Sequence, residues 1–293
     1  MSQLGAYCAL GLLWLLHWLP SPVLAWLGRG LGRLLFVAAR SRRAVALKNL
    51  SLCFPELTLH EQKQIARRHF QAFSQVILEQ GVLWWASDAR YLSLVNISGL
   101  EHWQAVQDRP VIWLVPHFVG LDWGGLLLAK LKVTASVYSR QRSELLNEML
   151  LKSRSRFNKP VLFSRQEGLR GIIRELRKGT PFFYLPDLDY GPRDAVFVPF
   201  FGVPAATITG LSRIAKITGA VVLPAIARQL PNGAGYEMKI YPAWENFPTD
   251  DVIADTTRMN EFIEARVREM PEQYLWTHKR FKTRPEGEAG FYD

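Results

Sequence analysis

Residues 111–122 read VIWLVPHFVGLD, an apolar run that ends in a proline and a histidine, with an aspartate five positions after the histidine. A short apolar run bounded by a turn is typical of a buried strand in a parallel sheet. Open α/β sheets bind their ligands just beyond the carboxyl ends of such strands. The sequence therefore predicts that His117 lies at the mouth of a buried strand, where a ligand would bind.

His117 and Asp122 have the residue types that proton transfer needs. A neutral imidazole accepts a proton near neutral pH, and a carboxylate can orient the ring and stabilise its charged form. Residues five apart on one helix point about 140° apart, so the two side chains meet only if His117 lies in a loop and Asp122 near the start of the next helix. Gly120 permits that turn. Taken alone, the pair fits two interpretations equally well. It is either a base with its orienting carboxylate, or a histidine that caps a strand end and an aspartate that caps a helix.

The rest of the chain alternates strand-like and helix-like patterns. Thr58 and Glu61 form a capping-box pattern that predicts the start of a long helix, and Gly179 and Gly219 are expected to end two later helices. Strands are predicted over residues 111–115, 181–185, 220–227 and 236–244. Strands that alternate with helices predict an α/β domain built around a mainly parallel or mixed central sheet flanked by helices.

The composition favours an anionic partner. The chain has 36 Lys and Arg residues against 26 Asp and Glu, a net charge of +10, which suits nucleic acid, a phospholipid surface or an acidic protein. The basic residues form no recognisable nucleic-acid motif, so we expect no nucleic-acid partner. The two cysteines, Cys8 and Cys53, have neither a disulfide framework nor metal-ligand spacing. We predict no metal site.

The amino terminus is apolar enough to enter a membrane. No charged residue precedes Arg29, and residues 4–27 reach the length of about 20 that a spanning helix needs, although two prolines interrupt them. The positive charges that follow leave the body of the protein in the cytoplasm by the positive-inside rule. We predict a membrane anchor over residues 1–28 and a single catalytic domain over 29–293. The anchor either spans the bilayer or lies in its interface, and the alternative is a buried amphipathic helix.

Two further groups of residues are candidates for a site. Asp187 and Asp189 follow the predicted strand at 181–185 and could hold a divalent metal with a nucleotide-sugar diphosphate, as Asp-x-Asp motifs do, or form an ordinary polar turn. Arg154 and Arg156 end a helical stretch. Arginine binds phosphate and stabilises developing oxyanions, although such a run more often forms a solvated face.

These residues resemble a known family. The chain resembles the late acyltransferases of lipid A biosynthesis, the lauroyl/myristoyl type, within the lysophospholipid and glycerol-phosphate acyltransferase superfamily. The resemblance rests on His117-x4-Asp122 and on five further segments: PDLDYGP at 186–192, VFVPFFG at 196–202, AAT at 205–207, PEQY at 271–274 and WTHKRFKTRP at 276–285.

The resemblance implies a glycerol-phosphate acyltransferase-like fold with an amino-terminal membrane-anchor helix. It implies an O-acyltransferase that moves a fatty acyl chain from an acyl carrier protein thioester to a hydroxyl of a lipid A precursor of the Kdo-lipid IVA type. The reaction would occur at the cytoplasmic face of the inner membrane, beside inner-membrane lipids. No cofactor is expected, because a thioester is already activated. The expected partners are acyl carrier protein and a phosphorylated glycolipid.

By the same resemblance, His117 is the general base and Asp122 orients it. The candidates for binding the substrate or the oxyanion are Arg154, Arg156, Asp187 and Asp189. Three alternatives remain open. One keeps the chemistry but acylates a lysophospholipid or an ornithine-type lipid, the second is a non-catalytic membrane scaffold, and the third is a metal-dependent glycosyltransferase that uses Asp187 and Asp189.

Overall fold

The computed structural model describes residues 3–138, 143–164 and 168–292. The first half of the chain contains α1 (Gln3–Leu16), α2 (Ser21–Ala38), α3 (Arg40–Cys53), α4 (Leu59–Trp85), α5 (Asp88–Ser93), β1 (Val95–Ser98), α6 (Leu100–Gln104), β2 (Val111–Leu114), α7 (Leu121–Leu131) and β3 (Ala135–Tyr138). The second half contains α8 (Glu144–Arg154), β4 (Val161–Ser164), α9 (Arg170–Arg177), β5 (Phe182–Tyr184), β6 (Ala195–Phe200), β7 (Val203–Ile208), α10 (Gly210–Thr218), β8 (Val221–Gln229), β9 (Tyr236–Ile240) and α11 (Val252–Glu269).

The centre of the fold is a seven-stranded sheet in the order β1-β9-β8-β2-β5-β3-β4. Neighbouring strands are parallel except β8 and β9, which are antiparallel. Helices cover both faces of the sheet, and the side chains of β2 pack against helices on each face. Ile112 and Leu114 pack into one core cluster together with residues of α9, whereas Val111 and Trp113 pack into another with residues of α7. A strand buried on both faces is uniformly apolar, which confirms the interpretation of this run.

The main sequence predictions of secondary structure are confirmed. β2, β5, β8 and β9 occupy the four predicted strands, with β9 ending at Ile240, earlier than expected. Thr58 and Glu61 form both hydrogen bonds of the capping box at the start of α4, and Gly219 ends α10 in the left-handed region. Strands β1, β3 and β4 were not predicted, because their sequences (VNIS, ASVY and VLFS) mix polar with apolar side chains and form no continuous apolar run. The antiparallel hairpin of β6 and β7 was also missed.

The apolar amino terminus forms two helices. The chain breaks between Leu16 and Ser21, where Pro20 precedes α2, and α2 continues to Ala38. Glycines let α2 approach α4 closely, since a Cβ atom at Gly28 or at Gly32 would lie within 2.5 Å of α4 backbone atoms. In the described part of the chain, no single helix is both long and apolar enough to cross a membrane. α2 and α3 together meet the length and composition needed, but they are bent by 92°.

Candidate active site

His117 lies in the loop that joins β2 to α7, as the sequence predicts. Phe118 N donates to the Pro116 carbonyl at 2.9 Å, which makes a tight turn directly after the strand. Gly120 precedes α7, and Asp122 lies in its first turn. The loop-then-helix geometry that the spacing of His117 and Asp122 required is therefore present.

A carboxyl-terminal segment holds this loop in place. Val119 N donates to the Gln273 carbonyl at 2.8 Å, and Leu275 N donates to the His117 carbonyl at 3.1 Å. Phe118 forms an antiparallel bridge with Tyr274 between them. The His117 carbonyl and the Val119 N–H group thus both have hydrogen-bond partners in the carboxyl-terminal segment. These bonds fix the backbone that carries the imidazole.

The carboxylate on the His117 ring is Asp187. The Asp187 Oδ1 atom lies 2.7 Å from His117 Nδ1, and Oδ2 accepts a hydrogen bond from His117 N at 2.8 Å. This contact follows from strand pairing, because Leu114 of β2 lies opposite Tyr184 of β5 and both strands end at the same edge of the sheet. The two residues that follow the strand ends are therefore neighbours.

Asp187 is ionised in this setting. Its side chain is 1% exposed, and burial alone would raise the pKa of the carboxyl. The charge of His117 and the hydrogen bonds that His117 donates outweigh burial and hold the pKa of Asp187 below its ordinary value. An ionised Asp187 accepts a hydrogen bond from a protonated Nδ1, which leaves the lone pair of the neutral ring on Nε2.

Asp122 makes a different contact from the one predicted. Its Oδ2 accepts a hydrogen bond from Gln80 Nε2 of α4 at 3.3 Å. Across the described residues, no hydrogen bond or ion pair joins Asp122 to His117. The spacing argument considered only neighbours along the chain, whereas Asp187 reaches the ring from the adjacent strand. In the structure, the carboxylate that contacts the His117 ring is Asp187.

Asp189 ties the β5 loop to the carboxyl-terminal segment. Its two carboxylate oxygens accept from Thr283 Oγ1 at 2.8 Å and Thr283 N at 2.6 Å, and Asp189 N donates to His278 Nε2 at 3.0 Å. Burial, together with the nearby charge of His117, lowers the pKa of His278 to about 4, so His278 is neutral. Both carboxylates of the Asp-x-Asp motif thus bind the protein's own donors.

A cavity opens beside the His117 loop, between α7 and the sheet. Asp122 and, two turns later, Ala129 line it from α7, and Thr134 lines it directly before β3. Because α7 runs back from the carboxyl edge of the sheet, the cavity extends from the His117 end toward the amino edge. Its apolar walls come from Leu121, Leu126, Leu150, Phe183 and Leu185.

The two candidate arginines lie in different places. Arg154, the last residue of α8, lines the cavity in its part remote from His117, because α8 leads back toward the amino end of β4. Arg156 instead binds the carboxyl end of α4, where its guanidinium donates to the Leu83 carbonyl at 3.1 Å and to the Ala86 carbonyl. It also donates to Asp88 at 2.8 Å. Arg156 therefore satisfies helix-end carbonyls.

Comparisons with known proteins identify the family of this chain. A sequence model described as "Bacterial lipid A biosynthesis acyltransferase" matches residues 1–283. The chain belongs to this family. It is 36% identical over 289 residues to the lipid A biosynthesis lauroyltransferase of Escherichia coli K12, covering 98% of this chain and 94% of that protein.

Two further relatives from the same organism span most of this family member. It is 34% identical to the lipid A biosynthesis palmitoleoyltransferase, over 97% of this chain and 92% of the relative. It is 32% identical to the lipid A biosynthesis myristoyltransferase, over 92% and 83%. The solved 1-acyl-sn-glycerophosphate acyltransferase PlsC of Thermotoga maritima is more distant, with a TM-score of 0.37 and 16% identity over 78% of this chain and 97% of PlsC. The protein is an acyltransferase, as predicted.

The first prediction concerns the role of Asp187 in this lipid A acyltransferase. Asp187→Asn removes the charge that favours Nδ1–H on His117, so we expect kcat to fall about 10²- to 10⁴-fold with little change in KM. The measurement is steady-state acyl transfer by the purified full chain. Asp255→Asn is the matched control, because Asp255 is also a buried carboxylate and binds Ser212 and Thr249 far from the site. A kcat for Asp187→Asn within tenfold of wild type would contradict the orienting role of Asp187.

Proposed function

We propose that this acyltransferase moves a fatty acyl group from an acyl carrier protein thioester to a hydroxyl of a phosphorylated lipid A precursor of the Kdo-lipid IVA type. The observation that carries the proposal is the His117–Asp187 pair, which leaves a basic Nε2 at the mouth of β2. Family membership supplies the lipid A setting. The net charge of +10 suits two acidic partners, the carrier protein and the phosphorylated glycolipid.

The chemistry requires one base and no electron transfer. His117 Nε2 takes the proton of the acceptor hydroxyl as its oxygen attacks the thioester carbonyl carbon. The C–S bond then breaks, and the departing sulfur receives the proton from the imidazolium. Asp187 stabilises that imidazolium, since it is a buried anion 2.7 Å from Nδ1. A thioester is already activated, so we propose that no cofactor takes part.

The cavity beside the loop suits an acyl chain. Its walls are mainly apolar, and it starts at Asp122, close to the loop that carries His117. Of the two arginines, Arg154 is the one we retain as a ligand for an anionic part of a substrate, because the guanidinium of Arg156 is engaged with α4 and Asp88. We assign Asp189 to positioning the β5 loop, because both of its carboxylate oxygens bind Thr283.

Mass spectrometry of the reaction products tests this proposal. The wild-type chain, supplied with acyl carrier protein thioesters and Kdo-lipid IVA, is expected to add one acyl group. His117→Ala should lower the rate by about 10²- to 10⁴-fold, because the base is lost. His60→Ala is the control, since His60 is an exposed residue of α4. Acylation of a lysophospholipid or an aminolipid instead of the lipid A precursor would contradict the acceptor, and an active His117→Ala would contradict the mechanism.

We also propose that α1 and α2 attach the protein to an anionic phospholipid bilayer at the cytoplasmic face of the inner membrane. α2 buries its glycine face against α4 and exposes an apolar stripe, in which Trp26 is 66% and Leu34 69% exposed. The exposed Trp14 of α1 and the exposed Trp18 in the turn after α1 add to this surface. Tryptophan favours the membrane interface. The arginines that follow match anionic headgroups: Arg33, Arg40 and Arg42 are exposed.

Vesicle flotation tests this attachment. Trp26→Glu and Leu34→Glu should each weaken binding to vesicles of anionic phospholipid by about tenfold or more, because each removes a large side chain from the apolar stripe. Leu59→Glu is the matched control, because Leu59 is 59% exposed at the start of α4. Thermal unfolding should not change for these surface variants. Unweakened binding by both stripe variants would contradict the proposal.

A further inference from the structure

The acyl-transfer mechanism leaves one buried carboxylate unexplained. Glu79 lies in α4 and is 1% exposed. It accepts hydrogen bonds from Gln75 Nε2 at 2.9 Å, from Ser21 Oγ at 3.3 Å and from the Tyr236 hydroxyl. Ser21 is the first residue of α2, and Tyr236 is the first residue of β9. Glu79 therefore joins the proposed membrane helix to the central sheet.

Hydrogen bonds continue from Glu79 to the His117 loop. The Tyr236 hydroxyl accepts from Gln229 Nε2 at 3.1 Å. Gln229 and Gln273 then exchange two bonds, one from Gln229 N to Gln273 Oε1 at 2.7 Å and one from Gln273 Nε2 to the Gln229 carbonyl at 2.9 Å. The Gln273 carbonyl holds Val119 N, two residues after the base. Hydrogen bonds between protein groups thus connect Glu79 to the loop that carries His117.

Ring packing provides a second connection. The Tyr236 ring stacks on Trp123 with a centroid distance of 4.4 Å and an interplanar angle of 13°. Trp123 follows Asp122 in the first turn of α7. A Cβ atom at Gly120 would lie 3.1 Å from the Tyr236 ring. The Tyr236 ring therefore packs against the start of α7 through Trp123 and lies beside the loop backbone at Gly120.

The donors in this cluster select the ionised form of Glu79. The Tyr236 hydroxyl accepts from an amide and so has its own proton free to donate to Glu79. Gln75 donates to Glu79 as well. Gln75 and Ser21 donate to one carboxylate oxygen and Tyr236 donates to the other, so a proton on either oxygen would face a donor. The hydrogen-bond pattern is complete when Glu79 carries a negative charge.

We propose that ionised Glu79 is a positioning residue that fixes Tyr236, and through it the His117 loop, in the geometry needed for acyl transfer. The proposal rests on the proposed function for its kinetic effect. Glu79 thereby makes the reaction depend on its own protonation. The same carboxylate also binds α2 through Ser21.

The ionised state is costly, which sets the pH range of the effect. Burial raises the pKa of Glu79 to about 7, although its three hydrogen bonds lower it in part. The contacts described for Glu79 include no cation. Tyr236, from β9, is the titratable group in contact with it, and burial and the Glu79 charge raise the pKa of Tyr236 well above its ordinary value. His17, directly after α1, lies against Gly81 of α4, and α7 brings Asp122 to Gln80.

Kinetics across pH tests the proposal with the full chain in phospholipid. Wild-type kcat should fall as pH falls through about 7, because Glu79 takes up a proton. Glu79→Gln should lose this ionisation and have a kcat about tenfold lower at mildly alkaline pH, with KM nearly unchanged. Tyr236→Phe keeps the ring but removes one donor to the carboxylate, so the same ionisation should move to higher pH. A pH profile for Glu79→Gln parallel to wild type, or merely scaled at every pH, would overturn the proposal.

Stability across pH gives a readout that does not depend on the substrate. The folded pKa of about 7 exceeds the ordinary value of 4.5, so the folded state binds more protons between these values. The free energy of unfolding of the wild type should therefore decline, relative to Glu79→Gln, as pH rises from 4.5 to about 7. Parallel stability curves would contradict the raised pKa of Glu79, and with it the proton-dependent control in this pH range. A wild type that acylates no lipid A precursor would contradict the proposed function and leave this comparison intact.

Discussion

The parallel pairing of β2 with β5 is the constraint on which the candidate site depends. Leu114 and Tyr184 lie opposite each other, so the two loops that follow leave the sheet side by side. One loop carries His117 and the other carries Asp187, and their contact of 2.7 Å fixes the ring. The apolar faces of β2 hold this pairing in place, because they are buried in two separate core clusters. The pairing of β2 with β5 thus holds the centre of the sheet together and also brings His117 and Asp187 into contact.

Two buried carboxylates near the loop show opposite responses to burial. Asp187 faces His117, whose charge and hydrogen bonds keep the pKa of the carboxyl below its ordinary value. Among the described residues, the donors to Glu79 are neutral, and burial raises its pKa to about 7. A charge partner decides between the two outcomes. In our account, Asp187 serves the base throughout the working pH range, whereas Glu79 makes the loop geometry depend on pH.

Local sequence patterns predicted the fold class and the position of His117 at a strand end, because each of these depends on residues that are contiguous in the chain. An apolar run followed by Pro116 and His117 describes a strand end, and the capping box at Thr58 describes a helix start. The partner of His117 was not predictable in this way, since Asp187 reaches it through strand order. Arg154 and Arg156 are two residues apart yet lie in different environments, because α8 ends at Arg154. The amino-terminal run predicted apolar helices, but the packing of Gly28 and Gly32 against α4 depends on tertiary contact.

The central claim is that Asp187 holds the proton of His117 on Nδ1 and leaves Nε2 free to act as the base. Nitrogen-15 NMR of the full chain with labelled histidine, recorded at mildly alkaline pH, reports the tautomer of each ring. The account predicts that His117 has a protonated Nδ1 and an unprotonated Nε2, since the ionised Asp187 accepts from Nδ1. A His117 that carries its proton on Nε2 would contradict the account.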